Sequence, residues 1–189
     1  MQKDKIKKAV VSALFLALGL VLPFLTGQLQ AIGSMLLPMH LPVFLCGLIC
    51  GWQYGLAVGF TVPIMRSLIF GMPVLYPNAL SMALELAAYG AVAGALFLNA
   101  KWQCVRSLYR CLIAAMLAGR AVWAVAEVLL LGIGENGFTF KMFISGALLN
   151  SIPGIVLQLV LIPAIMLALD KTHLVPFRKS EIKTKARES

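Results

Sequence analysis

Hydrophobic residues fall into six long runs, separated by shorter stretches that contain glycine, proline or basic residues. The runs are roughly Ile6–Leu25, Met39–Gly51, Tyr54–Gly71, Asn78–Leu98, Cys104–Gly132 and Lys141–Leu169. A helix needs about 20 apolar residues to cross a bilayer, so the pattern predicts six transmembrane helices. We therefore expect an all-α integral membrane protein, with a six-helix bundle over residues 1–170 and a basic tail over residues 171–189.

The second and third runs are joined by little more than the sequence GWQY. A connection this short holds two helices side by side in opposite directions. The sequence therefore predicts a tight helical hairpin at this point.

The composition agrees with a membrane location. Of the 189 residues, 61% are hydrophobic and only 12% are charged, whereas an average soluble domain has about 25% charged residues. This leaves no room for a separate soluble domain. The first run follows a basic start, as a signal peptide does, but no soluble segment follows it, so we expect a retained helix.

The net charge of +9 is concentrated near the ends of the apolar runs rather than spread over one surface. The clusters are Lys3, Lys5, Lys7 and Lys8; Lys101, Arg106 and Arg110; and Lys171, Arg178, Lys179, Lys183, Lys185 and Arg187. Residues 26–38, 72–77 and 133–140 contain no lysine or arginine. Under the positive-inside rule, this alternation predicts a multi-pass protein of the cell membrane with both termini in the cytoplasm. It does not indicate nucleic-acid binding.

The sequence lacks the usual motifs of catalysis and metal binding. It contains no GxxxxGK[ST] loop for nucleotide phosphates and no HExxH pair for zinc. The two histidines, His40 and His173, are far apart in the chain. We therefore predict no catalytic residues, no metal site and no cofactor.

Polar residues on four predicted helices lie at similar depths. Counted from the outer helix ends at 1.5 Å per residue, Arg66 and Glu127 lie about 8 Å deep, and Glu85 lies about 10 Å deep. Asn150 reaches about 14 Å, and Arg120 lies about 18 Å deep, near the middle of the bilayer. Charged residues inside a membrane usually face a partner or a cavity. The depths therefore indicate a polar layer in the outer half of the bundle.

Helical spacing places several of these residues in rows, each along one face of its helix. The stripes are Ser81, Glu85 and Tyr89; Arg120, Trp123 and Glu127; and Asn150, Gly154 and Gln158. A mostly apolar pocket with a few placed polar groups is typical of small-molecule sites. The predicted substrate-binding residues are Glu85, Arg120, Trp123, Glu127, Asn150, Arg66, Ser81 and Tyr89.

The alternative is that the charged residues only neutralise one another, as Arg66–Glu85 and Arg120–Glu127 pairs. Arg120 and Glu127 are two helical turns apart, too far for the usual i,i+4 pair, so each needs another partner.

Small residues recur every four positions on the first helix, at Ala9, Ala13 and Ala17. Such stripes allow helices to approach closely in lipid, so this face is a candidate docking surface for a partner. Ala83, Ala87, Ala91 and Ala95 show the same spacing, and packing within the chain is the alternative for both stripes.

Three stretches, in this order, carry a resemblance to a known family. They are AVVSALFLA after the basic start, then LPMHLPVFLCGLICGWQYGLAVGFTVPIMRSLIFG, then NALSMALELAAYGAVAGALF. With the length and the charge layout, they resemble the substrate-binding S components of bacterial energy-coupling factor (ECF) vitamin importers.

The resemblance implies a six-helix subunit that binds a water-soluble vitamin or precursor in a pocket near the outer face, covered by outer loops. It implies that Ala9, Ala13 and Ala17 dock onto a transmembrane coupling subunit, and that two cytoplasmic ATPases use ATP on behalf of the complex. Glu85, Arg120, Glu127 and Asn150 would belong to the pocket-forming helices, with Arg66 nearer the pocket edge.

The choice of ligand stays open at this point. The carboxylates and guanidiniums suit a pyridoxine-like or pyrimidine-like heterocycle, the arginines alone suit a carboxylate such as pantothenate, and Trp123 suits stacking on a flavin. Two other classes are also open. One is an intramembrane enzyme acting on lipid or isoprenoid substrates, with Glu85 or Glu127 as acid or base. The other is a structural subunit of a membrane complex.

Overall fold

The computed structural model of the protein describes residues 2–25, 38–132 and 152–172, and all the regular structure in these ranges is helical. The helices are α1 (Gln2–Leu25), α2 (His40–Cys50), α3 (Trp52–Phe70), α4 (Leu80–Asn99), α5 (Val105–Leu131) and α6 (Ile152–Lys171). A π-helical turn, Leu75–Ala79, leads into α4. The predicted all-α fold is confirmed.

Within the described residues, four helical spans are long and apolar enough to cross a membrane: Lys3–Phe24, Leu75–Asn99, Val105–Leu131 and Ile152–Lys171. The other two helices are α2, with 11 residues, and α3, with 19. The protein is thus a multi-pass membrane protein, while six full crossings stay a prediction. The start of the predicted sixth segment and the basic tail from residue 173 lie outside the described residues.

Only Gly51 separates α2 from α3. Its φ is +115°, a backbone conformation that is open to glycine and strained for other residues. Its N–H donates a hydrogen bond to the Gly47 carbonyl at 3.1 Å, which ends α2. The predicted tight hairpin is confirmed, and the glycine is what allows the chain to reverse within one residue.

The hairpin packs against α4 through direct backbone contact. A Cβ atom placed on Gly90 would lie 2.3 Å from the Gly55 carbonyl oxygen, and one placed on Gly47 would lie 2.3 Å from the Gly90 carbonyl oxygen. On the next turns, Gly94 faces the Gly47 carbonyl and Gly59 faces the Leu86 carbonyl. Three helices therefore meet with no side chains between them, as small residues permit in membrane proteins.

Contacts between residues distant in sequence show which helix ends lie side by side. The Tyr54 hydroxyl lies 3.5 Å from the Lys5 carbonyl, so α3 begins beside the start of α1. Arg66 donates to the Leu20 carbonyl at 3.1 Å, so α3 ends beside the end of α1. Contacts of Gly55 with Gly90 and of Gly59 with Leu86 show that α4 runs back toward the first of these ends. The next helix, α5, runs away from it, since Arg120 meets Glu85 and Glu127 meets Ser81. We call the first end the basic end and the opposite one the far end. The basic end carries Lys3, Lys5, Lys7, Lys8, Lys101, Arg106 and Arg110.

The interior is formed by large apolar side chains from four helices. The largest fully buried ones include Phe44, Phe97, Leu48, Leu86, Leu108, Leu112, Ile162 and Met166. Other apolar side chains point outward, such as Leu129, which is 78% exposed, and Leu117, which is 69% exposed. An apolar outer surface of this kind is stable against lipid tails, which agrees with the membrane location.

We expect Gly90→Ala to destabilise the protein although alanine is the better helix former. The added methyl group would collide with the Gly55 backbone, which cannot move aside as a flexible side chain would. Overpacking of this kind should lower the free energy of unfolding by at least about 2 kcal/mol. Thermal unfolding in detergent measures this effect.

The matched control is Leu96→Ala on the same helix, because Leu96 is 44% exposed. This change should alter the unfolding temperature little. Equal losses from the two substitutions would contradict a tight three-helix contact at Gly90.

Candidate functional site

The polar residues predicted on the fourth helix share one buried face of α4. Ser81, Glu85 and Tyr89 lie one turn apart in succession, and each is at most 2% exposed. Helical geometry puts positions i, i+4 and i+8 on the same side. Because burial removes these groups from water, each of them needs a partner inside the bundle.

Glu85 is held by two donors. Arg120 Nη1 on α5 lies 2.8 Å from Glu85 Oε1, and the Tyr89 hydroxyl donates to the same oxygen at 2.6 Å. This ion pair joins α4 to α5 in the interior of the bundle. The alternative in which Glu85 pairs with Arg66 is wrong, because Glu85 forms its ion pair with Arg120.

Gly119 makes this arrangement possible. A Cβ atom at Gly119 would lie 2.3 Å from Cε1 of Tyr89, so any larger residue would displace the tyrosine ring. On its other sides the ring is stacked on Phe44, with 5.0 Å between ring centroids, and lies 5.3 Å from the His40 ring. The hydroxyl of Tyr89 is thus fixed toward Glu85 by packing on three sides.

Glu127 finds a different partner. Its Oε1 lies 2.7 Å from the Ser81 hydroxyl, which also lies 3.0 Å from the Asn78 carbonyl oxygen. A hydroxyl has one hydrogen and two lone pairs. Ser81 therefore donates to a Glu127 carboxylate, or it accepts a hydrogen bond from a protonated Glu127 while donating to Asn78. The prediction that Arg120 and Glu127 each need a partner other than one another is confirmed.

Ser81, Glu85, Tyr89, Arg120 and Glu127 form what we call the polar cluster. Within the ranges that the structure describes, Nε and Nη2 of Arg120 are buried and lack a hydrogen-bond partner, as does Nε2 of Gln158 on α6. Buried polar groups are nearly always hydrogen-bonded in folded proteins. Counting only contacts with described residues, the cluster therefore has buried donors without a partner, which is a property expected of a binding site.

Arg66 is held outside the polar cluster, where α1 and α3 end together. Its Nη1 bonds to the Leu20 carbonyl, and its guanidinium carbon lies 5.5 Å from the centre of the Phe24 ring and 5.7 Å from that of Phe70. The two rings are in edge-to-face contact with one another. These contacts tie α1 to α3, while a role for Arg66 in ligand binding stays a prediction.

The other predicted site residues are placed as follows. Trp123 is partly exposed on α5, one turn from Arg120. Asn150 lies outside the described residues. Sequence reasoning assigned almost nothing polar to the second helix and so missed His40, which is buried and packed on Tyr89. The signal that points to it is a histidine at the start of an otherwise apolar run, LPMHLPVFL.

An apolar groove of about 290 Å³ lies between α4 and α5. It is lined by Leu84, Ala121, Val122, Val125, Ala126 and Leu129. Several of these side chains are exposed at the outer surface of the bundle, so the groove opens toward lipid. All six of these lining residues are apolar, so this groove differs in character from the polar cluster.

Comparison with protein-family models gives one match that covers most of the chain. The model described as the substrate-specific component of ECF transporters matches residues 7–166. No curated protein and no solved structure matches the chain.

We expect Arg120→Leu to destabilise the protein strongly. It would leave the Glu85 carboxylate buried without its cation, and breaking a buried ion pair in this way costs about 3–5 kcal/mol. The double variant Glu85→Gln, Arg120→Leu should recover much of the loss, because a glutamine oxygen still accepts from Tyr89 and carries no charge. Thermal unfolding of the single and double variants in detergent measures the difference.

Arg106→Leu is the control, since Arg106 is an exposed arginine at the start of the same helix. It should change the unfolding temperature little. A loss as large as that of Arg120→Leu would mean that the Glu85–Arg120 pair has no special role.

Proposed function

The chain belongs to the family of substrate-specific components of ECF transporters, and on this premise we propose that it captures a water-soluble vitamin or vitamin precursor outside the cell. It delivers that compound inward together with a transmembrane coupling subunit and two cytoplasmic ATPases. The chain has no cofactor of its own, because ATP is used by the partner subunits. As a membrane-embedded subunit of a transporter it binds its substrate without chemical turnover.

The observation that carries the proposal is the polar cluster with its free donors. A cluster that served only to join α4 to α5 would use the donors of Arg120 within the bundle. Instead, Arg120 gives Nη1 to Glu85 and keeps two further nitrogens buried without a partner among the described residues. A ligand that supplies hydrogen-bond acceptors would complete this arrangement.

The position of the cluster supports capture from outside. Ser81, Glu85 and Tyr89 occupy the first half of α4, which starts at the far end, and Glu127 lies near the far end of α5. The positive-inside rule places the basic end in the cytoplasm. The polar cluster then lies in the outer half of the membrane, and both termini lie inside the cell.

The small-residue stripe of α1 supports docking onto the coupling subunit. Ala9, Ala13 and Ala17 are all exposed, whereas Ala83 and Ala87 of the competing stripe are buried against other helices of the chain. The α1 stripe therefore has no packing role among the helices that the structure describes. It offers a flat face on which a partner helix can lie closely.

The enzyme hypothesis has less support. A lipid-modifying enzyme needs an acid or base where its substrate enters, but the groove that opens toward lipid is lined only by apolar side chains. Glu85 is bonded to Arg120 and Tyr89, and Glu127 is bonded to Ser81, which leaves both carboxyl groups poorly placed for proton transfer to a lipid. The transport hypothesis accounts for both features.

Mass spectrometry of the purified protein tests the proposal most directly. The chain is purified alone in detergent and denatured, and any released small molecule is identified. A stoichiometric vitamin-like compound supports the proposal and names the substrate. A protein that carries no compound and that no nutrient mixture stabilises against heat would contradict it.

Glu127→Gln and Asn150→Ala should each leave a folded protein that binds its ligand at least tenfold more weakly. This loss corresponds to about 1.4 kcal/mol or more, the scale of one hydrogen bond to a charged group. Equilibrium binding of the identified compound measures the effect, with Leu96→Ala as a lipid-facing control. Unchanged affinity in both variants would remove these residues from the site.

The double variant Ala9→Leu, Ala13→Leu should abolish transport and leave ligand binding intact. The larger side chains would block close approach of the coupling subunit without disturbing the bundle, because both positions are exposed. The assays are uptake by the reconstituted complex and ligand binding by the isolated chain. Ala164→Leu, at an exposed position of α6, is the matched control, and transport that survives the α1 changes would refute the docking surface.

A further inference from the structure

The guanidinium of Arg120 bonds to Glu85 through Nη1. Its other two nitrogens, Nε and Nη2, have no hydrogen-bond partner in the described part of the chain. These two nitrogens lie side by side on the guanidinium, and their N–H bonds point in nearly parallel directions. An edge of this kind holds two acceptor atoms at once, so it selects a planar group with two adjacent acceptors.

The described charges around this edge leave no excess of positive charge. Glu85 neutralises Arg120 directly, and Glu127 lies close by, because its Oε1 is bonded to Ser81, one helical turn before Glu85. The other buried arginine, Arg66, is held by the Leu20 carbonyl and two phenylalanine rings near the end of α1. It is therefore not placed to neutralise an anion at Arg120.

Among the charges that the structure describes, the sum is unfavourable for an anionic ligand in either protonation state of Glu127. If Glu127 is ionised, the charges of Glu85, Arg120 and Glu127 sum to a negative value, and an added carboxylate would make it more negative. If Glu127 is protonated by the arrangement with Ser81 and Asn78, the sum is zero and an anion would still be unmatched. A buried charge without a partner is strongly unfavourable.

An ionised Glu127 favours the opposite kind of group. A carboxylate accepts about four hydrogen bonds, and Ser81 supplies one of them. An N–H donor, neutral or cationic, is favourable beside it. Trp123, one turn from Arg120 and partly exposed, adds a flat apolar surface that suits a ring.

From these observations we infer that the ligand is a planar nitrogen heterocycle without net negative charge. Its edge places two acceptors, such as a carbonyl oxygen and a ring nitrogen, on Nε and Nη2 of Arg120, and it directs an N–H donor to Glu127. This inference rests on the proposed function, because it concerns the same site. It selects the heterocyclic class over carboxylates of the pantothenate type.

Separating a nutrient mixture by charge tests the inference while the compound itself is still unidentified. The small-molecule part of yeast extract is passed over an anion exchanger at pH 7, which retains anions and lets neutral and cationic compounds through. Each fraction is added to the purified full-length chain, and its thermal unfolding is followed. The stabilising compound is then identified by mass spectrometry after it is captured on the protein.

We expect stabilisation by the unretained fraction and a captured heterocycle with adjacent acceptors and an N–H group. Stabilisation by the retained anions alone would overturn the inference while leaving the proposed function intact. A captured neutral compound without such an edge, such as a polyol, would also overturn it. If neither fraction stabilises the protein, the proposed function fails and the inference fails with it.

Arg120→Lys tests the open edge itself. A lysine keeps a positive charge beside Glu85, so the unliganded protein should stay folded. It lacks the planar pair of donors that the guanidinium has. Binding of the captured compound should weaken at least tenfold, whereas the exposed control Arg106→Lys should bind as the wild type does. Equal binding by both variants would contradict recognition through Nε and Nη2.

Discussion

The need to keep every charge paired in a low-dielectric interior governs this bundle. Arg120 and Glu85 belong to different helices, and each would be strongly unfavourable alone inside a membrane. Their contact at 2.8 Å requires the face of α4 that carries Glu85 to pack against the face of α5 that carries Arg120. Tyr89 completes the pair from α4, and Gly119 leaves room for the Tyr89 ring. Because the pair uses only part of the arginine among the described contacts, the contact that holds the helices together is also the one at which we propose that a ligand binds.

Close backbone contact gives this site a rigid support. The meeting of α2, α3 and α4 at Gly47, Gly55 and Gly90 leaves no side chain that can change rotamer between the helices. Phe44 from α2 then packs on Tyr89, which directs its hydroxyl at Glu85. A site whose polar atoms are positioned by packing loses little entropy when a ligand binds. Under the proposed function, the glycines contribute to recognition by keeping the charged residues in place.

Periodicity along the chain predicted much of the fold and part of the candidate site. The stripe of Ser81, Glu85 and Tyr89 follows from helical spacing alone, and its burial is confirmed. Counting residues gives depth along a helix but not the direction that a side chain faces across the bundle. Arg66 and Glu85 have similar depths, yet Arg66 faces α1. The direction that a side chain faces depends on how its helix is rotated about its own axis. Glycine contacts between helices set this rotation, and the partners in such contacts are distant in sequence.

The two attachments of α1 to α3 have a mechanical consequence. The first helix is fastened near its start through Tyr54 and Lys5 and near its end through Arg66 and Leu20. If the coupling subunit docks on the alanine face of α1 as proposed, a torque on that face would act on a helix that is held at both ends. From α3 the load would pass through backbone contact into α4, which carries Glu85. The first helix would then act as a lever arm, and the polar cluster would turn together with the surface that is pushed.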